Sequence, residues 1–206
     1  MKLLELFKGT GSVSKVAIKY GFDIVSLDFE KKYNPNILTD ILNWDYKEYH
    51  KQNNYIPDYI WASPPCNSFS VLAYTRKERN TKTAEPYSER AKLGNKILYR
   101  TLEIIEYFNN LNPFMRYCIE NPRGMMRLVP EMKKLDRYTT LYGLYGDNKI
   151  KPTDFWSNYD LNLKEPIRAN IKHITYDVSY MPLAQRYSIP ASLIENILDS
   201  YLIMYE

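Results

Sequence analysis

The sequence is poor in the residues that staple a chain, ligate a metal or cradle a phosphate. Its two cysteines, Cys66 and Cys118, allow at most one disulfide, which excludes the disulfide-dependent secreted scaffolds and leaves each thiol to be explained singly. With His50 and His173 as the two histidines and neither close to Cys66 in sequence, a Cys/His metal site and a papain-like Cys-His pair are both disfavoured. No glycine-rich loop ends in Gly-Lys-Ser or Gly-Lys-Thr, and no GxGxxG fingerprint occurs. No apolar run approaches the roughly 18 residues of a membrane span, and Met1-Lys2-Leu3-Leu4 leads into a folded pattern without a cleavage site, so a soluble intracellular protein is expected. Charge is nearly balanced: 28 Lys and Arg against 24 Asp and Glu give +4, which permits a phosphate partner without demanding one.

What the chain has is a folding composition, 45% hydrophobic over 206 residues, the size of one domain spanning 1–206 with no internal repeat or linker. The 20 tyrosines scatter along the chain and read mostly as half-buried packing residues. Lys2 to Phe7 reads as a strand, Lys8-Gly9-Thr10-Gly11-Ser12 as a turn, and Val13, Val16, Ala17 and Tyr20 as one face of a helix that Gly21 ends. Phe22 to Leu27 is a second strand closed by Asp28, and a third ends near Thr39-Asp40. Trp44 to Asn54 reads as a polar stretch. Tyr59 to Ala62 is a fourth strand, stopped by Ser63-Pro64-Pro65 because consecutive prolines cannot donate ladder bonds. A long polar loop from Asn67 to about Arg90 precedes a long helix over Ala91 to Asn110, and Tyr117 to Glu120 forms a fifth strand stopped at Asn121-Pro122. Later strands are expected at Tyr138 to Leu144 and Asp154 to Ser157, and Pro190 opens a final helix through Leu202.

Alternating strands and helices predict an α/β fold, a mostly parallel sheet with helices on both faces, whose ligands gather at the carboxyl ends of the strands. Gly9 to Gly11, Asp28, Asp40, Cys66 and Glu120 all fall there. A glycine turn can be a mere tight connection, yet followed by a strand-end acid it suits a nucleoside whose ribose hydroxyls the acid accepts. The turn is shorter than a pyrophosphate fingerprint, which favours a nucleoside without phosphates. Cys118 lies inside an apolar strand, where a thiol is normally inert, so Cys66 is the nucleophile candidate, and Glu120 supplies a carboxylate that converges on the same pocket.

Glu5-Leu6-Phe7-Lys8-Gly9-Thr10-Gly11-Ser12, Pro64-Pro65-Cys66-Asn67-Ser68-Phe69-Ser70 and Glu120-Asn121-Pro122 together resemble successive motifs of the C5-cytosine-specific DNA methyltransferases, in order and in placement. The resemblance implies a Rossmann-like class I S-adenosylmethionine-dependent methyltransferase fold without a recognisable target-recognition domain. It implies S-adenosylmethionine as cofactor, held by Phe7, Gly9, Gly11, Asp28, Phe29, Asp40, Ile41 and Pro64. Cys66 is then the nucleophile that adds to C6 of cytosine and Glu120 the acid at the base edge. DNA, single-stranded or read with a partner protein that gives specificity, would meet Asn67, Ser68, Ser70, Arg76, Lys77, Arg123, Lys149 and Lys151, the last two standing loosely where the family carries Gln-x-Arg-x-Arg. Arg79 and Lys82 belong to the same basic segment as Arg76 and Lys77 and invite phosphate contacts. Two departures are visible: Ser63 replaces the glycine before Pro-Cys, and Tyr187 stands where a cofactor-contacting asparagine is usual. Two other classes stay open. One is a degenerate module that binds nucleic acid or cofactor without catalysis. The other is a transferase acting on RNA, on a free pyrimidine nucleotide or on an amino group, since Ser63-Pro64-Pro65 also resembles the Ser-Pro-Pro-Tyr motif of amino methyltransferases.

Overall fold

The run Lys2–Leu6 (β1) is buried on both sides of its pleat from Leu3 onward, and a strand of that kind must be covered on both faces. The computed structural model, which describes residues 1–166 and 182–205, buries it at the centre of a seven-stranded sheet. The other strands are Asp23–Asp28 (β2), Ile37–Leu38 (β3), Tyr59–Ala62 (β4), Arg116–Pro122 (β5), Arg137–Leu141 (β6) and Pro152–Ser157 (β7). Their order is β3-β2-β1-β4-β5-β7-β6, parallel through β5, with β7 antiparallel to both its neighbours. The chain winds outward in one direction from β1 to β3 and in the other from β4 to β5. A crevice therefore opens at the carboxyl ends of β1 and β4, where the order reverses.

Alternate residues of the strands feed two cores. Leu4 and Ile60 pack with Tyr46, Leu98, Ile104 and Phe108 from the helices Tyr46–Asn53 (α2) and Glu89–Leu111 (α3). Leu3, Tyr59 and Trp61 pack on the opposite face with Val13 and Val16 of Ser12–Ala17 (α1) and with Ile194, Ile197 and Leu198 of the C-terminal helix. The short helix Leu183–Tyr187 (α4) precedes that last helix, Ala191–Leu202 (α5). Gly21 closes the first helical segment at φ 76°, a conformation open to glycine at little cost.

Three elements differ from the sequence reading. The polar stretch after Trp44 is a helix: Asp45 caps it by accepting from the Glu48 N–H at 2.8 Å, and its buried face is aromatic, Tyr46 lying edge-on to Tyr107. Tyrosine supplies the apolar face that aliphatic periodicity does not reveal. Strand β5 continues through Pro122, which pairs with Thr153 of the antiparallel β7. Strand β6 ends at Leu141, and Tyr142–Tyr145 form a 3-10 turn instead of prolonging it.

Candidate active site

Strand β1 hands the chain to α1 through three residues in left-handed backbone: Phe7 at φ 64°, Gly9 at 49° and Gly11 at 68°. Two glycines accept this easily, whereas a phenylalanine there costs roughly 1 to 2 kcal/mol. Strained non-glycine residues of this kind cluster at functional sites. Asp28, at the end of β2, holds the turn: one carboxylate oxygen accepts the Gly9 N–H at 2.9 Å and the other accepts the Glu30 N–H at 2.9 Å. Each oxygen keeps a further lone pair for a ligand.

The second wall is built from β4 and β5. Asn121, fully buried, donates to the Pro64 carbonyl at 2.8 Å and so ties the Pro64-Pro65-Cys66 turn to β5. The N–H groups of Phe69 and Ser70 both donate to the Cys66 carbonyl, at 3.0 and 2.9 Å, while Ser70 bridges Gly124. A Cβ at Gly124 would stand 2.1 Å from the Phe69 carbonyl oxygen, so this close approach requires glycine. Glu120 is 6% exposed; its Oε1 accepts the Tyr142 hydroxyl at 2.9 Å and lies 4.0 Å from the Lys151 ammonium. Lys151 is itself strained, at φ 26°.

These walls enclose a cavity of about 260 Å³. Of the residues singled out from sequence, it brings together Phe7, Gly9, Asp28, Phe29, Pro64, Cys66, Asn67, Glu120 and Lys151. Glu5, Lys8, Glu30, Tyr33 and Tyr187 line it as well. The acid Glu5 sits within an apolar strand, and the signal that could have singled it out is that placement, a carboxylate one turn ahead of the glycines.

The other expected residues do not line the cavity. Ile41 packs in the core and offers its carbonyl to Arg100, and Asp40 caps its own turn by accepting the Leu42 N–H. Gly11 begins α1 as its cap. Ser68 is 2% exposed and its hydroxyl accepts from Arg79. Arg79 is no free cation either. Buried in the loop, it donates to the Ser68, Ala84 and Ala91 carbonyls and to Asn95, and it stacks on Phe69 at 3.9 Å. Lys149 is likewise engaged: at 1% exposure its ammonium donates to the Gln185 and Ser188 carbonyls and pairs with Asp147 at 3.1 Å. A buried ammonium persists only when paired and hydrogen-bonded in this way, and it has nothing left for a phosphate. Arg76, Lys77, Lys82 and Arg123 stay exposed, and Arg76 is 3.9 Å from Glu78. His50 is engaged with the Tyr55 carbonyl, and His173 lies outside the described residues.

Burial pushes the Cys66 thiol above its ordinary value, the Glu120 charge adds to this, and Lys151 opposes it. Lys151 is lowered by its own burial and held up by Glu120 and Cys66. Cys118, fully buried, is pushed far higher and stays inert. Burial raises Glu5 to about 7 despite the Ser14 hydroxyl that donates to it and the nearby Lys8. One end of the cavity thus gathers the carboxyls Glu5, Asp28 and Glu30 around a glycine turn. That set of acceptors suits a ligand with hydroxyls and a positive centre, and it repels a chain of phosphates. The other end places a thiol, a carboxylate and an ammonium on one side of the space, a set able to add a nucleophile to a ring and compensate the charge that develops. Among the described residues no cluster of His, Cys, Asp and Glu is arranged to hold a metal, and no helix is long and apolar enough to cross a membrane.

No family profile matches the chain. It is 33% identical over 164 residues to the "Probable DNA (cytosine-5)-methyltransferase" of Frog virus 3 (isolate Goorha), a match covering 78% of this chain and 72% of that protein. Among solved structures it is similar to the S. pombe Dnmt2 methyltransferase, with TM-score 0.53 and 15% identity over 88% of this chain and 58% of that one. It is also similar to Spodoptera frugiperda DNMT2, with TM-score 0.50 and 18% identity over 81% of this chain and 52% of that one. At these identities the structural likeness is one of fold, and the chain spans little more than half the length of either structure.

Proposed function

The chain belongs to the DNA (cytosine-5)-methyltransferases, and from that premise we propose that it transfers a methyl group from S-adenosylmethionine to C5 of cytosine in DNA through a covalent adduct with Cys66. The observation that carries this reading is the convergence of Cys66 and Glu120, from different strand ends, on one end of a cavity whose other end holds Gly9, Asp28 and Phe29. Residues 1–206 are read as one catalytic domain.

The carboxyl-rich end fits the cofactor. When bound, S-adenosylmethionine supplies a methyl group activated on a sulfonium. Asp28 has lone pairs free for ribose hydroxyls, Phe29 exposes 63% of its surface as an aromatic face for a base, and Glu5 complements positive charge. Asp40 and Ile41 have no part in this assignment. At the other end, Cytosine C5 is a poor nucleophile until something adds at C6. Cys66 passes its proton to Glu120, the thiolate favoured by the Lys151 charge, and its sulfur bonds to C6. Glu120, its Oε1 held by the Tyr142 hydroxyl, carries that proton on its other oxygen and hands it to ring N3, so that the negative charge developing there is neutralised. C5 takes the methyl and gives its proton to water, and as the C6–S bond breaks the N3 proton returns through Glu120 to the sulfur, restoring both the ring and the thiol. Taking the base out of a duplex costs a few kcal/mol, and a single strand spares it. The exposed Arg76, Lys77, Lys82 and Arg123 are read as phosphate contacts, with Asn67 and Ser70 as base contacts, and sequence preference is assigned to loops or to a partner.

Labelled methyl transfer to DNA, RNA and cytidine nucleotides, with identification of the product base, tests the proposal. The expected outcome is 5-methylcytosine in DNA that Cys66→Ala abolishes while cofactor binding persists. Methylation of another atom, or transfer that survives Cys66→Ala, overturns it.

A further inference from the structure

Tyr142 does not line the cavity, yet it touches both charged groups at the cavity's transfer end. It is completely buried in the turn after β6, and its hydroxyl donates to Glu120 Oε1 at 2.9 Å. The Lys151 ammonium lies 4.5 Å from its ring centroid and that of Lys149 5.7 Å. Its backbone N–H also reaches the Lys151 carbonyl at 3.4 Å, next to the strained φ of that residue. A carboxyl group turns broadly about its last torsion, so an unheld Glu120 would present either oxygen, or neither, to a bound ring.

We propose that Tyr142 is the positioning residue of the transfer end: it occupies Glu120 Oε1, leaves Oε2 for the base edge, and seats Lys151 beside the same carboxylate. Burial and the neighbouring Glu120 push the Tyr142 phenol well above its ordinary value, so it remains a donor throughout the working range. The hydrogen bond is made before a ring arrives, and its reorganisation is not repeated at each turnover. Lys149, its ammonium held by the Gln185 and Ser188 carbonyls, lies 5.7 Å from the centroid of the same ring.

This inference rests on the proposed methyl transfer, and the experiment separates the two. Tyr142→Phe keeps the ring, its packing and the lysine contacts, and removes only the hydroxyl. With an oligonucleotide carrying 5-fluorocytosine and S-adenosylmethionine, the rate of adduct formation by wild type, Tyr142→Phe, Glu120→Gln and the double variant is followed by denaturing electrophoresis, alongside kcat, KM and cofactor Kd. Loss of one hydrogen bond to a charged group predicts a rate about tenfold to a hundredfold lower in Tyr142→Phe, with cofactor Kd unchanged. The double variant is expected to be no slower than Glu120→Gln alone, because the hydroxyl acts only through that carboxylate. A Tyr142→Phe protein as fast as wild type, or losses that multiply in the double variant, overturns the inference and leaves the methyl-transfer reading standing. A wild type that forms neither adduct nor 5-methylcytosine overturns that reading and this inference with it.

Discussion

The two ends of the cavity are built on different principles. The cofactor end comes from two consecutive strand-to-helix connections, and its main fixings both fall on Asp28 at the end of β2, one from the Gly9 N–H after β1 and one from the Glu30 N–H two residues on. The transfer end gathers Cys66, Glu120, Tyr142 and Lys151 from four separate segments, held together by Asn121 on Pro64, Gly124 against Phe69, and Tyr142 on Glu120. Their electrostatics differ as well: carboxyls predominate at the first, whereas the second balances a carboxylate against an ammonium beside a raised thiol. A substitution at one end should therefore change binding, and at the other chemistry, with little crossover.

The sharpest test of that division is Glu120→Gln. General acid or electrostatic assistance at the ring edge predicts a fall in kcat of about a hundredfold to ten-thousandfold. Cofactor affinity, measured by calorimetry, should stay at the wild-type value, and a parallel loss of affinity would break the division. Asp28→Ala makes the converse case. It removes an acceptor for ligand hydroxyls and the tie to the Gly9 N–H, so cofactor KM should rise about tenfold to a hundredfold with a smaller effect on kcat at saturation.

The smallest effect concerns Glu5. Its folded-state value of about 7 exceeds the 4.5 of an unperturbed glutamate, so between those two values the unfolded chain has released a proton that the folded protein retains. Stability of the ligand-free protein contributed by this group is full below pH about 4.5, declines as pH rises, and is lost above about 7, a difference on the order of 3 kcal/mol at most. Glu5→Gln should flatten that decline, read as urea midpoints at about pH 5 and about pH 7.5. An equal decline in the variant would place its origin elsewhere.

The ease with which each end can be read from sequence follows the same contrast. Gly9, Asp28 and Phe29 lie within a few residues of where apolar strands stop, so the strand ends themselves point to them. Cys66 and Glu120 are found the same way, because Pro64-Pro65 and Asn121-Pro122 punctuate their strands. Tyr142 is not, since Tyr138 to Leu144 reads as one continuous strand and nothing local marks the turn. Helix α2 hides because its buried face is tyrosine. Arg79 and Lys149 mislead for a related reason: a cation in sequence looks solvated, and only packing shows that carbonyls from distant segments have closed around it.

The sequence by itself determined the alternation of strands and helices, the strand-end positions of the thiol and the acids, and the family to which the motifs point. These depend on side-chain period and on turn residues, which are local properties of the chain. Tertiary structure alone decided which cations are spent in the interior, which oxygen of Glu120 is held, and that Lys151 stands beside it. Those outcomes depend on the register between strands and on desolvation where distant segments meet, and neither is written in any one stretch of residues.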